Sequence, residues 1–144
     1  MLGAMNGLYD TTDWKRCSYV DTILDCWVDI HDKSYAVAMF MPDATDAERA
    51  SKMQECIGKF HEPTLGLMET MLGKHGGPYI AGPKLTIADV ALVSFLLSIW
   101  ECEGGPFTET FRPVLAKYPK VQAYNLKLRE TFCETIKSVD GPKT

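Results

Sequence analysis

The residues that most often carry out chemistry in proteins, cysteine and histidine, are scattered along this sequence. The three histidines share no metal-ligand spacing with any pair of cysteines, so the pattern predicts no metal site. The five cysteines are an odd, unevenly spaced set, which is typical of reduced thiols in a cytoplasmic protein rather than of a disulfide framework. The cysteines are Cys17, Cys26, Cys56, Cys102 and Cys133, and the histidines are His31, His61 and His75. We therefore expect a cytoplasmic location.

An acidic stripe is the second candidate for chemistry. Asp21, Asp25 and Asp29 recur every four residues, so on a helix they lie on one face. A carboxylate in such a place could pair with an ammonium group through charge-assisted hydrogen bonds. Acidic runs are also typical of a plain solvated helix face. Both interpretations stay open.

The composition and charge of the chain limit the classes of partner that it could bind. With 144 residues, 46% hydrophobic and 24% charged, we expect one globular domain over 1–144 with its core at about 11–137. A net charge of −4 without any basic block argues against nucleic acid. The longest apolar stretch, 90–100, is about half of a bilayer span. Residues 1–9 lack the features of a secretory signal, so we expect no membrane association.

The elements that must position these residues are helices. Apolar residues recur at three- and four-residue steps, and no alternating strand pattern interrupts them. Thr45 begins the second of two long helices, and Pro63 should kink it. We predict an all-α bundle of five helices. They are a long helix ending near residue 40, a second from Thr45 with apolar residues to Leu72, a buried central helix at 87–102, a short helix at 108–117 and a last helix at 120–137.

A twelve-residue run in front of the central helix is the most specific pattern in the sequence. Residues 78–89 read PYIAGPKLTIAD. Thr86 would cap the helix, and Asp89 would bond back to the cap, which satisfies the free amides of a buried helix end. The run resembles the segment that leads into the central helix of the C-terminal domain of glutathione transferases. In that family an aromatic residue, a glycine, a Ser or Thr and an Ala-Asp pair follow at the same spacing.

Three further matches support the resemblance. Residues 2–9 resemble the segment that joins the two domains of these enzymes, and residues 118–121, YPKV, resemble the entry to a later helix. The stripe of Asp21, Asp25 and Asp29 is similar to that of sigma, mu and pi-type members. Together the matches cover roughly 1–137. The sequence is therefore identified as the helical C-terminal domain of a sigma-, mu- or pi-like glutathione transferase.

The resemblance also implies what the chain lacks. Family members begin with a thioredoxin-like domain, which binds glutathione and supplies the Tyr, Ser or Cys that stabilises its thiolate. This sequence starts at the domain junction and contains no C-x-x-C motif. We expect no catalytic residue, no covalently bound cofactor and no turnover by this chain alone. Glutathione would take part as a co-substrate only in a complete enzyme.

The resemblance assigns roles to particular positions. Asp29 aligns with the acidic residue that reaches across the dimer to the amino group of the partner's glutathione. Tyr35, Met39 and Phe95 fall where the family builds its pocket for the electrophilic co-substrate, although residues of these types at helical spacing are more often part of the core. Thr86 and Asp89 are structural caps in every interpretation.

Three classes of function stay open at this point. The first is the co-substrate-binding and dimerisation domain of a sigma-like glutathione transferase, which conjugates glutathione to electrophiles in detoxification. The second is a non-catalytic interaction module of the kind attached to translation factors. The third is a binding protein for hydrophobic small molecules. In each case an exposed apolar face favours a partner, either a second copy or a chain that carries a thioredoxin-like domain.

Overall fold

A computed structural model describes residues 2–39, 41, 43–96, 100 and 108–139. Helices dominate this part of the chain, which contains no strand, only an isolated bridge between Tyr79 and Gly82. The helices are α1 Leu2–Met5, α2 Trp14–Met39, α3 Asp46–Cys56, α4 Glu62–His75, α5 Ile87–Phe95, α6 Thr108–Leu115 and α7 Pro119–Val139.

The five predicted helices correspond to α2, the rod made of α3 and α4, α5, α6 and α7. The all-α bundle is therefore confirmed, with α1 as an additional short turn at the start. The predicted continuation of the central helix from Phe95 to residue 102 falls mostly outside the described residues. Within the described residues, no helix combines the length and the apolar character needed to cross a membrane.

A wide turn at Ile57–His61 joins α3 to α4 and accommodates Pro63. Proline has no amide hydrogen, and its ring crowds the preceding turn. Just before it the helix widens into a π-helical turn, in which the N–H of Glu62 bonds to the carbonyl of Ile57, five residues back instead of four. Because π turns absorb such a local mismatch, α3 and α4 form one rod with an irregular middle.

The core lies between α2, α4, α5 and α7. α2 packs against α3 and α5, and α4 packs against α7. The burial of α5 covers one face rather than its whole circumference, since Val90 remains 39% exposed. Fully buried side chains come from each of the four helices: Val20, Ile23 and Ile30; Leu65 and Met68; Ala88 and Leu92; and Val121, Tyr124 and Leu128.

The loop between α4 and α5 is held tightly enough to place α5. Gly76 ends α4 in the left-handed conformation, with φ 61°, where glycine meets no steric penalty. Gly77 lies so close to the backbone of Gly82 that a Cβ atom would overlap with it. Two backbone hydrogen bonds between Tyr79 and Gly82, of 3.2 and 3.1 Å, close the loop. The closed loop therefore fixes the position of its backbone N–H groups relative to the start of α5.

Candidate functional site

Asp89 joins the start of α5 to two other parts of the chain. Its carboxylate is fully buried, and Oδ2 accepts hydrogen bonds from the Thr86 N–H at 2.7 Å and the Thr86 hydroxyl at 2.6 Å. Oδ1 accepts from the Ile80 N–H at 2.9 Å and from the Tyr124 hydroxyl at 2.8 Å. Burial and the neighbouring carboxylate of Asp89 raise the pKa of Tyr124, so its hydroxyl keeps its proton and donates. Asp89 is thus a structural hub with four donors.

A second buried cluster, Ser34–His61–Trp100, has the composition of a nucleophile with its base. Trp100 Nε1 lies 3.0 Å from His61 Nδ1, and His61 Nε2 lies 2.7 Å from Ser34 Oγ. The indole N–H can only donate, so Nδ1 must accept and the neutral ring carries its hydrogen on Nε2. Burial lowers the pKa of His61 to about 4, which keeps the ring neutral at pH 7.

This arrangement rules out nucleophilic chemistry at Ser34. His61 donates to the Ser34 hydroxyl and therefore has no lone pair free to take its proton, as a base would have to do. Cys56 Sγ lies 3.6 Å from the same hydroxyl, and burial raises the pKa of the Cys56 thiol. A thiol of that kind stays protonated and is a poor nucleophile. The cluster is a structural link between helices.

The acidic stripe lies on the exposed face of α2, but its members differ. Tyr9 donates its hydroxyl to both carboxylate oxygens of Asp21, at 2.9 and 2.8 Å, and this hydrogen bond raises the pKa of Tyr9. Asp25 and Asp29 have no hydrogen bond or ion pair to any described residue. Asp21 is thus engaged within the chain, whereas the carboxylate of Asp29 is available to a ligand.

The predicted pocket positions fall on two helices that run side by side. Tyr35 and Met39 belong to the last turns of α2, and Phe95 is the last residue of α5. Their side chains lie outside the described parts of the structure, so their role as a pocket wall stays a prediction.

The described contacts do fix how the two helices run. The Arg16 Nη2 atom donates to the Lys84 carbonyl at 2.7 Å, and so the start of α2 lies beside the start of α5. Further along, the Ser34–His61–Trp100 cluster connects α2 to the segment beyond α5. The two helices therefore run in the same direction, and the backbone brings the three pocket positions to the same end of the bundle.

Metal chemistry has no support in the part of the chain that the structure describes. No group of three or more His, Cys, Asp or Glu side chains there could hold an ion. The described cysteines, Cys17, Cys26 and Cys56, are free thiols.

The fold and its buried capping motif define a helical domain of the glutathione transferase type. The chain matches the profile of the family described as glutathione S-transferase, C-terminal domain, over residues 28–131. This chain belongs to that family.

Two individual relatives agree with this result. A pig (Sus scrofa) protein, glutathione S-transferase alpha M14, is 26% identical over 130 residues, which are 90% of this chain and 52% of the relative. The crystal structure of the glutathione S-transferase Blo t 8 superimposes with a TM-score of 0.74 at 27% identity, over 94% of this chain and 58% of that one. The chain thus spans little more than half the length of these two relatives.

Proposed function

We propose that this domain is the helical half of a sigma-like glutathione transferase. It would form a wall of the pocket for the electrophilic co-substrate and part of the dimer surface. In the complete enzyme the thiolate of glutathione would attack an electrophilic carbon or a peroxide, as in detoxification. The observation that carries the proposal is the family match over 28–131.

The group that activates sulfur would come from a thioredoxin-like domain outside this sequence. A thiolate is stabilised by a donor aimed at it, and the strongest candidates here are already engaged. The hydroxyl of Tyr9 donates to Asp21, and that of Tyr124 donates to Asp89 in the core. Ser34 is fully buried beside His61. None of these hydroxyls is placed to hold a glutathione thiolate.

Asp29 would contribute to the glutathione site of a partner subunit. An exposed carboxylate without a described partner can pair with the ammonium of a glutamyl group through a charge-assisted hydrogen bond. The sigma-like assignment rests on the acidic stripe. Within it, the carboxylates of Asp25 and Asp29 are available to a ligand, whereas that of Asp21 is bonded to Tyr9. Because Asp25 lies one turn away on the same exposed face, it is the matched control.

The proposal predicts that catalysis depends on the second domain. The purified chain should conjugate glutathione to a chlorodinitrobenzene-type electrophile no faster than the uncatalysed reaction. A chimera that adds the part of the porcine relative that this chain does not match should restore conjugation. Robust turnover by the chain alone would contradict our account of the activating group, and a folded but inactive chimera would contradict the proposed function.

The chimera also tests Asp29. We expect Asp29→Asn to raise the KM for glutathione by about tenfold, since one charge-assisted hydrogen bond is lost, while the KM for the electrophile stays the same. Asp25→Asn should change neither value. Equal effects of the two variants would mean that the stripe acts only through its general charge.

A further inference from the structure

An open groove of about 430 Å³ lies between the start of α2 and the end of α4. The rise of α2 between the groove and Tyr35 is roughly 30 Å, so the groove is distant from the proposed co-substrate wall. The side chains that matter for its chemistry are Asp13, Lys15, Arg16, Tyr19, Lys74 and His75.

The groove is positive in a protein whose net charge is −4. Three of its side chains are basic, Lys15, Arg16 and Lys74, and Asp13 is the one carboxylate among its lining residues. Asp13 accepts the N–H of Arg16 at 3.0 Å as the cap of α2. No carboxylate of a described residue lies within ion-pair distance of the three cations. Among the lining residues this leaves an excess of two positive charges, to which the positive end of the α2 dipole adds, while Asp10, outside the lining, interacts with both Lys84 and Arg16.

Two residues that line the groove each have a buried nitrogen atom that lacks a hydrogen-bond partner. The atoms are Arg16 Nε and His75 Nε2, neither of which bonds to any described residue. Both side chains are held in place, since Arg16 Nη2 donates to the Lys84 carbonyl and the His75 ring packs on Tyr19 with 4.4 Å between centroids. Unpaired buried polar atoms are costly. Because solvent does not reach these two atoms, an anion in the groove would meet Arg16 and a protonated His75 through their positive charges rather than through these atoms.

We propose that this groove binds the phosphate group of a ligand. A phosphate dianion matches the excess of two positive charges and offers three oxygen atoms to a guanidinium and two ammonium groups. Lys74 lies near by, with its Nζ atom 5.9 Å from the centre of the Tyr19 ring. The phosphate belongs either to a soluble phosphorylated compound or to a lipid headgroup, and two arms of the test distinguish these sources.

His75 should couple the binding to pH. Burial and the nearby charges of Lys74 and Lys15 lower the pKa of His75. Lys74, Lys15 and Tyr19 face the ring, and Asp13 lines the same groove. A bound anion favours the protonated ring, so by linkage a protonated His75 favours the anion. Binding should therefore become tighter as the pH falls.

The first arm is a titration of the full chain with inorganic phosphate, followed by amide chemical shifts in ¹H–¹⁵N spectra at low salt. We expect saturable shifts confined to α2's first turns and the end of α4. Lys15→Ala should weaken binding about three- to fivefold, the effect of one exposed charge. Lys33→Ala, on the same helix about five turns away, should leave it unchanged. An equal loss in both variants would overturn the proposal, and an absence of saturable shifts would exclude free phosphate as the ligand.

The second arm uses vesicles of phosphatidylcholine with and without phosphatidic acid. Cosedimentation that needs phosphatidic acid and is weakened by Lys15→Ala but not by Lys33→Ala would assign the phosphate to a lipid. Binding of free phosphate without cosedimentation would assign it to a soluble compound. Failure in both arms would refute the site, whatever the result for glutathione conjugation.

The pH coupling is measured with sulfate, whose charge is constant over the range used. Its affinity should rise about threefold or more between pH about 8 and about 6 in the wild-type chain. His75→Phe keeps the aromatic contact with Tyr19 and should remove this dependence. An unchanged pH dependence in His75→Phe would exclude His75 from the site.

Discussion

At the scale of single residues, this chain contains the same capping motif in two environments. Thr45 and Glu48 form an exposed box, in which Glu48 Oε2 accepts from the Thr45 N–H at 2.7 Å and the Thr45 hydroxyl at 2.8 Å. These hydrogen bonds lower the pKa of Glu48. Thr86 and Asp89 form the buried box, and there the carboxylate also holds the Ile80 amide and the Tyr124 hydroxyl. The buried box therefore organises tertiary structure as well as a helix end.

Because one box is buried and the other exposed, removing the two carboxylates should lower the free energy of unfolding by different amounts. Asp89→Ala should lower the free energy of unfolding by about 3 kcal/mol, because it leaves buried donors of the loop, the cap and α7 unpaired. Glu48→Ala should cost several-fold less, since water can replace the lost acceptor. Urea unfolding followed by circular dichroism measures both. Equal losses would mean that Asp89 acts as a simple helix cap.

At the scale of elements, His61 holds together helices that are distant in sequence. It lies in the π-helical turn between α3 and α4 and contacts α2 through Ser34. Its ring accepts from Trp100, beyond the end of α5, and lies 4.7 Å from the ring of Phe111 on α6. Because the ring is neutral and fully buried, these contacts depend on its staying unprotonated.

Because these contacts require a neutral His61 ring, we expect the protein to lose stability in acid. In the unfolded chain the pKa of His61 returns to about 6.5, whereas in the folded chain it is about 4. Between these values the unfolded state binds the additional proton, so stability falls as the pH drops from about 6.5 to about 4, by about 3 kcal/mol in total. Urea unfolding at several pH values measures the slope.

Two phenylalanine variants provide the control for this slope. His61→Phe removes the titrating group and should flatten the dependence between pH about 6.5 and about 4. His75→Phe removes another histidine whose pKa is lowered, but one that is less deeply buried, and should keep most of the slope. A slope that survives in His61→Phe would assign the acid sensitivity to other groups.

At the scale of the whole molecule, several large apolar side chains remain exposed. Trp14 is 78% exposed and Val28 is 46% exposed on α2, and Leu126 on α7 is 63% exposed. Val28 directly precedes Asp29, the residue proposed to reach a partner subunit. Single exposed apolar side chains are common on protein surfaces, so the position of Val28 beside Asp29 is what marks this face. We propose that the α2 face around Val28 meets a second copy of the chain.

The face predicts self-association. Sedimentation velocity over a range of concentrations should show the chain moving from monomer to dimer. Val28→Asp should weaken the dimer by about tenfold or more, because it places a charge in an apolar contact. Leu126→Asp, at a similarly exposed position on α7, should leave association unchanged. A monomer at every concentration would refute the proposed interface.

The sequence by itself determined the five helices and the capped starts of α3 and α5. The signals for them are local in sequence, since each extends over only three or four residues. They are the helical periodicity, the capping patterns at Thr45 and Thr86, and the glycines after α4. The resemblance carried by residues 78–89 identified the family correctly. The same local patterns also marked Asp29 as exposed and acidic.

Only the tertiary structure decided which faces meet. Tyr124 reaches Asp89 across 35 positions, and His61 meets Ser34 and Trp100 across 27 and 39. No local spacing encodes these pairs, because a helix pattern specifies an apolar stripe without specifying the stripe that it packs against. The cationic groove arises in the same way, from the start of one helix and the end of another. Buried polar contacts and composite sites therefore become visible only when the packing is known.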